Sequence, residues 1–499
     1  MSLLGIDVGT TGCKAAVFAE DGRCLATAYR EYPTVHPAEG FAEIDSAGLY
    51  ENVQSAIQEA VAKTRSDPVT AVCASSMGEA VGPVTLDRRL LGPTILFADR
   101  RGKEYIDELQ QQLSPEAFFE INANFLGPSY TMPKLRWLRD HQPALYRQAD
   151  RFLLWGDLVL FMLGAEPTTS FSLASRTLLF DIRKEDWSDT LLDRCGIERA
   201  KLGRCVPSGI VIGQVDERAA RATGLPRGAK IVAGGHDQCC NSLGSGISRA
   251  GAAVCGIGTY ECITPTYDHI PESRRMLDYG LNVEHHVLPG LYVSFIYNQS
   301  GGLVRWFRDT FAGADKKLLA PGVDIYDALA AEMPEDPTRL LVLPHFEMTG
   351  PPLFTADSRG VIAGLRLNSS RGDILKAFME SVTFYFVESV EQLRQIGINT
   401  SEFVATGGGA KSDRWLQIKA DIFGVPFVRP RVTEASMLGA AILGGTATGV
   451  FSSAEEGIRR FVHRDRVFEP DARRHAVYRE RLEKYRQLYP VLKDLLATL

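Results

Sequence analysis

Three stretches put reactive groups at the ends of apolar runs. The first is Gly5-Ile6-Asp7-Val8-Gly9-Thr10-Thr11-Gly12-Cys13-Lys14, a strand that ends in a carboxylate, a glycine turn with two hydroxyls, and a closing lysine. The apolar run Ala15 to Phe18 and the turn Glu20-Asp21-Gly22-Arg23 before Cys24 to Tyr29 make this a β-hairpin. Glycine lets a backbone approach closely and exposed N–H groups form an anion nest, so the turn suits a phosphate; an ordinary hairpin is the plain alternative. The second stretch is Gly234-Gly235-His236-Asp237, between a strand over Lys230 to Ala233 and a helical run from Cys239 to Leu243. Asp237 either caps that helix or points into a cleft, where it can take a proton from a hydroxyl. The third is Thr406-Gly407-Gly408-Gly409-Ala410-Lys411-Ser412, between a strand at Phe403 to Ala405 and a helix through Ile422. Its flat backbone suits an adenine or ribose and the helix start favours phosphate; a tight turn needing positive φ is the alternative. Glu79 sits past the strand Val69 to Ala74, where it either binds a polyol or lies in solvent.

Other chemistries lack their residues. No GxGxxG fingerprint, GxxxxGK[ST] loop or GxSxG elbow is present. His236, His285, His286 and His345 are too dispersed for a metal triad, and neighbours on a strand such as His285 and His286 face opposite sides. The nine cysteines are an odd number without a CxxC pair, which fits reduced thiols, with Cys239-Cys240 buried in a helix. A net charge of −6 with scattered basic residues argues against nucleic acid and against a polybasic membrane surface. The start lacks a signal-peptide pattern, and the most apolar stretch, Phe152 to Leu163, is interrupted by Asp157 and too short to span a bilayer. These features predict a cytoplasmic protein.

The elements that hold these groups alternate between strand and helix. At 499 residues the chain has room for two or three domains. Helices are expected over Leu49–Lys63, Glu104–Leu113, Pro133–Arg139, Phe152–Leu163, Leu375–Leu393 and Ala435–Leu443, and Gly301-Gly302 opens another through Trp306. Alternation of this kind predicts an α/β sheet. Ala252 to Thr259 echoes the opening run, with an apolar strand, glycine and hydroxyl, so a duplicated unit could clamp a phosphate chain from both sides. In the last segment Tyr478, Leu482, Tyr485, Tyr489, Leu492 and Leu496 share one helix face, which should pack back on the body.

Taken together, these stretches resemble the FGGY carbohydrate kinases of the actin, hexokinase and heat-shock ATPase superfamily. The resemblance runs nearly end to end. It includes Gly5 to Thr11 with Lys14, Phe97-Ala98-Asp99 with Arg101, Ser129 to His141, Gly234 to Asp237 and Gly258-Thr259. It continues through Gly301-Gly302 with Trp306, Gly360 to Leu365 leading to Glu380, and Thr406 to Ser412 with Trp415, Gln417 and Asp421. The resemblance implies two actin-like (ribonuclease H-like) α/β domains around a cleft: residues 1–246 for sugar and base, 247–465 for nucleotide, and a C-terminal helix in 466–499. It implies ATP-dependent phosphorylation of a sugar or polyol hydroxyl, with Asp237 as base and Asp7 holding Mg2+. Thr10, Thr11, Lys14, Gly258 and Thr259 match the two phosphate turns. Gly301, Gly408, Ala410 and Ser412 match positions along the nucleotide. Glu79, Ala80, Asp237 and Gln238 form the expected substrate set, and a homodimer is the oligomer common in such families.

This chain departs from the family at Phe378, Ser170 and Tyr260. Ala80-Val81 stands where glycerol kinases carry arginine and glutamate and xylulose kinases methionine and histidine, which disfavours glycerol. A ketopentose such as xylulose is the expected substrate, with ribulose, gluconate or another ketose as alternatives. An actin-like ATPase acting as a chaperone or activator, and a degenerate kinase serving as a sugar sensor, are the rival functions.

Overall fold

The computed structural model describes residues 1–315, 319–320, 322–431 and 434–499. Its first sheet grows from the opening run. β1 (Ser2–Val8) turns back into β2 (Gly12–Ala19) and then β3 (Cys24–Glu31), both pairings antiparallel. β4 (Val69–Ser76) lies parallel to β1 on its other side. β5 (Val211–Gln214) forms the edge, antiparallel to β6 (Lys230–His236), which runs parallel to β4. The order is β5-β6-β4-β1-β2-β3. The central parallel strands are enclosed on both faces and so read as unbroken apolar runs, while edge strand β3 alternates.

The second sheet repeats that pattern of pairings. β7 (Ala252–Ile257) is antiparallel to β8 (Tyr260–Tyr267), which pairs antiparallel with β9 (Ile296–Gln299). β10 (Glu402–Thr406) lies parallel to β7, β11 (Phe427–Pro430) parallel to β10, and β12 (Arg464–Phe468) closes the edge antiparallel. The duplication suggested by the echo at Ala252 to Thr259 is thus a duplication of sheet topology. The expected limit at residue 465 falls within β12, which belongs to this sheet.

The helices that matter for the site are α1 (Ser46–Ala62), α2 (Thr131–His141), α3 (Trp155–Leu163), α4 (Asp237–Gly244), α5 (Gly301–Phe311), α6 (Arg371–Gln395), α7 (Asp413–Phe423), α8 (Ala435–Ala447) and α9 (Ala472–Leu496). One expected helix is shorter than anticipated: Arg151–Leu154 forms a strand against Val81–Val84, and only Trp155 onward is helical. Phe152 to Leu154 are buried on both sides, so their apolar run cannot distinguish a core strand from a helix.

Small residues bring the two halves together. A Cβ on Gly439 of α8 would sit 2.0 Å from the Cys240 carbonyl oxygen of α4, and one on Gly244 would sit 1.8 Å from that of Ala435. Helix α8, buried nearly all round, also lies on β1. Cys239 and Cys240 are buried in this contact as free thiols. At the C-terminus α9 packs back as expected: Tyr478, Leu482 and Leu496 are buried, and Tyr478 donates to Glu380 at 2.9 Å. Among the described residues no helix is long and apolar enough to cross a membrane.

Candidate active site

Strand register assembles the charged side of the site. Asp7 on β1 faces Lys14 on β2 across one rung, and Ser75 on β4 donates to the Asp7 carboxylate at 3.0 Å. Gly235 and His236 on β6 pair with Ser75 and Ser76, so Asp237 emerges beside Asp7 at the carboxyl ends of parallel strands, where open α/β sheets bind ligands. Asp237 is the first helical residue of α4 and His236 occupies the cap position, so the capping role considered for Asp237 does not hold. The Asp237 side chain is about a third exposed. Burial pushes its carboxyl up to about 7, the charge of Asp7 adds to this, and hydrogen bonding from Gln238 opposes it. Burial likewise raises Asp7 to about 6. His236 places Nε2 3.3 Å from the Asp237 carboxylate, and burial pushes its imidazole down to about 3, keeping it neutral. Gln238 is half-buried beside it.

In the hairpin turn Thr10 is half-buried and Thr11 exposed. Tyr32 fixes their backbone: its N–H donates to the Thr11 carbonyl at 3.3 Å and its hydroxyl to that of Gly9 at 2.5 Å. Lys14 Nζ donates to Glu434, just before α8, at 2.8 Å.

Glu79 does not lie in solvent. It is buried and paired with Arg176, which also pairs with Glu284. Ala80 must be removed from the substrate set: it is fully buried in the apolar cluster of the first sheet and offers no surface to a ligand. Spacing could not reveal Arg176 or Glu284, because the ion pairs join residues 97 and 108 apart. The available signal was that Arg176 is the sole charged residue between Glu166 and Asp181. Lys134 is also fully buried, donating to the carbonyls of Ser129 and Tyr130, and burial lowers it to about 7. It locks the loop that carries Tyr130.

In the second half the turns are built from glycines and hydroxyls, and Arg305 of α5 donates to the Thr259 hydroxyl at 2.6 Å. Gly258 and Thr259 are exposed in the β7–β8 turn, and the Gly301 N–H at the start of α5 donates to the Gly258 carbonyl at 3.0 Å. A Cβ on Gly301 would approach that oxygen to 2.3 Å. Parallel pairing puts Gly256 beside Thr406, so the Thr406 to Ser412 turn starts next to Gly258. Gly407 has φ +82° and a Cβ there would sit 2.7 Å from the Ile257 carbonyl oxygen, whereas a Cβ on Gly408 would meet nothing within 4 Å. The positive-φ alternative therefore holds at Gly407, while Gly408 faces open space. Ala410 is buried, leaving only its backbone available. The Ser412 hydroxyl accepts from the Trp415 N–H at 3.3 Å and caps α7. Asn241 of α4 reaches Thr406 at 3.4 Å, linking the Asp237 helix to this turn.

Comparison with known proteins agrees with this fold. The model of the FGGY family of carbohydrate kinases, N-terminal domain, matches residues 2–244, and that of the C-terminal domain matches residues 270–448. The chain is 29% identical to a xylulose kinase of Bacillus subtilis (strain 168), over 99% of this chain and 97% of the relative. It is also 29% identical to an autoinducer-2 kinase of Klebsiella pneumoniae, over 98% of this chain and 93% of that one. The crystal structure of xylulose kinase from Rhodospirillum rubrum superposes with a TM-score of 0.89 at 26% identity, covering 99% of this chain and 100% of that one. With both halves matched in order, the chain belongs to the FGGY family of carbohydrate kinases and is a phosphotransferase of that fold.

Proposed function

We propose that the enzyme transfers the γ-phosphoryl group of ATP to a hydroxyl of an uncharged ketose, with a ketopentose such as xylulose as the first candidate. One observation supports this above the others: the partly exposed carboxylate of Asp237 stands near Asp7, at the carboxyl ends of two parallel strands that flank β4. In this reading residues 1–246 hold sugar and base, and 247–465 hold nucleotide. Asp237 takes the proton of the attacking hydroxyl as its oxygen moves in line on the phosphorus, and a carboxyl poised near 7 suits a base at neutral pH. Thr10, Thr11, Lys14, Gly258 and Thr259 surround the phosphates with hydroxyls, N–H groups and one cation. Gly301 and Gly408 let the nucleotide lie against the backbone, and Ala410 and Ser412 contribute main-chain groups only. Phosphoryl transfer asks a protein chiefly for such positioning and charge stabilisation.

Among the described residues no group of three or more histidine, cysteine or acidic side chains comes together to hold a metal. Mg2+ fits a sparser set, because it keeps several waters and binds one or two carboxylates together with substrate phosphates. Asp7, with one oxygen held by Ser75, would be that carboxylate. When bound, the ion would neutralise phosphate charge.

The equal identity to an autoinducer-2 kinase makes that molecule the second substrate candidate. A coupled ADP-release assay over xylulose, ribulose, gluconate, glycerol and autoinducer-2, with products identified by mass spectrometry, tests the reading. Sugar-dependent ADP release with a singly phosphorylated ketose is expected. Slow turnover independent of every sugar would overturn it in favour of an actin-like ATPase.

A further inference from the structure

Arg176 stands at the junction of three distant segments. Its guanidinium is half-buried with one terminal nitrogen on Glu79 and the other on Glu284, and Tyr130 and Phe295 lie 4.9 and 5.6 Å from it by their ring centroids. The far side is fixed by further bonds. Asn282 donates to Glu284 at 2.8 Å and to Asn124 at 3.2 Å, and the Tyr130 hydroxyl donates to the same Asn124 oxygen at 3.2 Å.

The near side touches the proposed base. A Cβ on Gly78 would sit 2.7 Å from Arg176 Cγ and 3.0 Å from His236 Cδ2, so the arginine stem and the imidazole pack over the same bare peptide. His236 in turn meets Asp237. Three buried polar atoms of this group have no partner in the protein: Arg176 Nε, Glu284 Oε2 and His236 Nδ1. Buried polar atoms are nearly always paired, so three orphans in one cluster leave this network open to water or a polar ligand. Two carboxylates around one guanidinium also leave a net negative charge, to which Asp7 and Asp237 add and which the buried Lys134, lowered to about 7, offsets only in part.

We infer that Arg176 is a specificity-determining residue: it clamps Glu79 as a fixed acceptor for substrate hydroxyls next to Asp237, while its own charge is consumed by two glutamates, so the cleft admits an uncharged polyhydroxylated chain and rejects a sugar acid. The inference rests on the kinase reading above. Carboxylates accept strongly from hydroxyls, and a second carboxylate brought against this surplus is repelled. Removing either glutamate's charge frees the guanidinium to receive an acid.

The test compares kcat/KM for xylulose and gluconate in the wild type, Glu79→Gln and Arg176→Lys. Glu79→Gln should raise the gluconate-to-xylulose ratio at least about tenfold, mainly through KM. Arg176→Lys, which keeps the charge but loses the two-sided fork, should raise the xylulose KM about fivefold or more with kcat within about threefold. If Arg176→Lys fails to fold, as judged by its melting curve, the isosteric Glu79→Gln decides alone. An unchanged ratio in folded Glu79→Gln, a wild type that prefers gluconate, or a loss confined to kcat would each overturn the role of Arg176 and leave the kinase reading standing. Absence of sugar-dependent turnover in the wild type would overturn both.

Discussion

The β1–β2 hairpin and the β7–β8 hairpin occupy equivalent places in two sheets of matching topology, yet they carry charge differently. On the last rungs of the first, Asp7 faces Lys14 and Val8 faces Cys13. On the same rungs of the second, Gly256 faces Cys262 and Ile257 faces Glu261. The first hairpin thus leaves its charges partly exposed: Lys14 and its partner Glu434, which comes from the second half, are each about two-fifths exposed. The other half sends its acid inward: Glu261 and Lys419 form a fully buried pair at 2.6 Å, and Ser300 donates to the second Glu261 oxygen at 2.7 Å. The first hairpin leaves Asp7 and Lys14 partly exposed, whereas the second buries its acid in an ion pair and exposes Gly258 and Thr259, with Arg305 donating to the Thr259 hydroxyl at 2.6 Å.

That contrast can be broken most severely at Asp237. Asp237→Asn should lower turnover about a thousandfold, the scale of lost general-base catalysis, in the ADP-release assay. Its effect on stability has the opposite sign. A carboxyl raised from 3.8 to about 7 by burial stabilises the fold when protonated and loses that contribution as pH rises through 7. The neutral amide should therefore match or exceed the wild type in urea unfolding at pH 8.

The two lysines should fail in contrasting ways. Lys419→Met strands Glu261 as a buried, unpaired charge and should destabilise the fold by about 3–5 kcal/mol, most of it recovered in Lys419→Met/Glu261→Leu. Lys14→Met breaks a half-exposed pair and should cost less than about 1 kcal/mol of stability. Loss of a cation at the phosphates should still lower its kcat/KM for ATP about tenfold or more. Comparable unfolding midpoints for the two variants would erase the distinction between structural and chemical charge.

The glycines should show a smaller version of the same contrast. Gly301→Ala forces a methyl against the Gly258 carbonyl and should raise the KM for ATP about tenfold while leaving the sugar KM unchanged. Gly9→Ala meets only the Gly12 carbonyl oxygen, at 3.3 Å, and should stay within about threefold of the wild type for both substrates. Steady-state kinetics with each substrate varied separately would distinguish these outcomes.

The parts of this arrangement that were legible in the sequence are those written locally. β1, β2, β4 and β6 announce themselves as apolar runs stopped by glycine, serine or an acidic turn. Asp7 and Asp237 are conspicuous because each ends such a run. The Arg176 clamp was not legible, since an ion pair between residues about a hundred positions apart leaves no periodicity. Ala80 does not belong in the substrate set because its side chain enters the apolar cluster while the adjacent buried Glu79 pairs with Arg176. The run at Phe152 reads as helix in the sequence because burial on every side hides the period that separates strand from helix.

The pH dependence of kcat/KM for the phosphorylated sugar, measured for the wild type from roughly pH 5.5 to 9, reports the ionisation of the free enzyme's essential base. An aspartate base at position 237 predicts a limb that rises with unit slope as pH increases and levels off above an apparent pKa near 7. A profile that is flat or falling across that interval would contradict proton removal by Asp237.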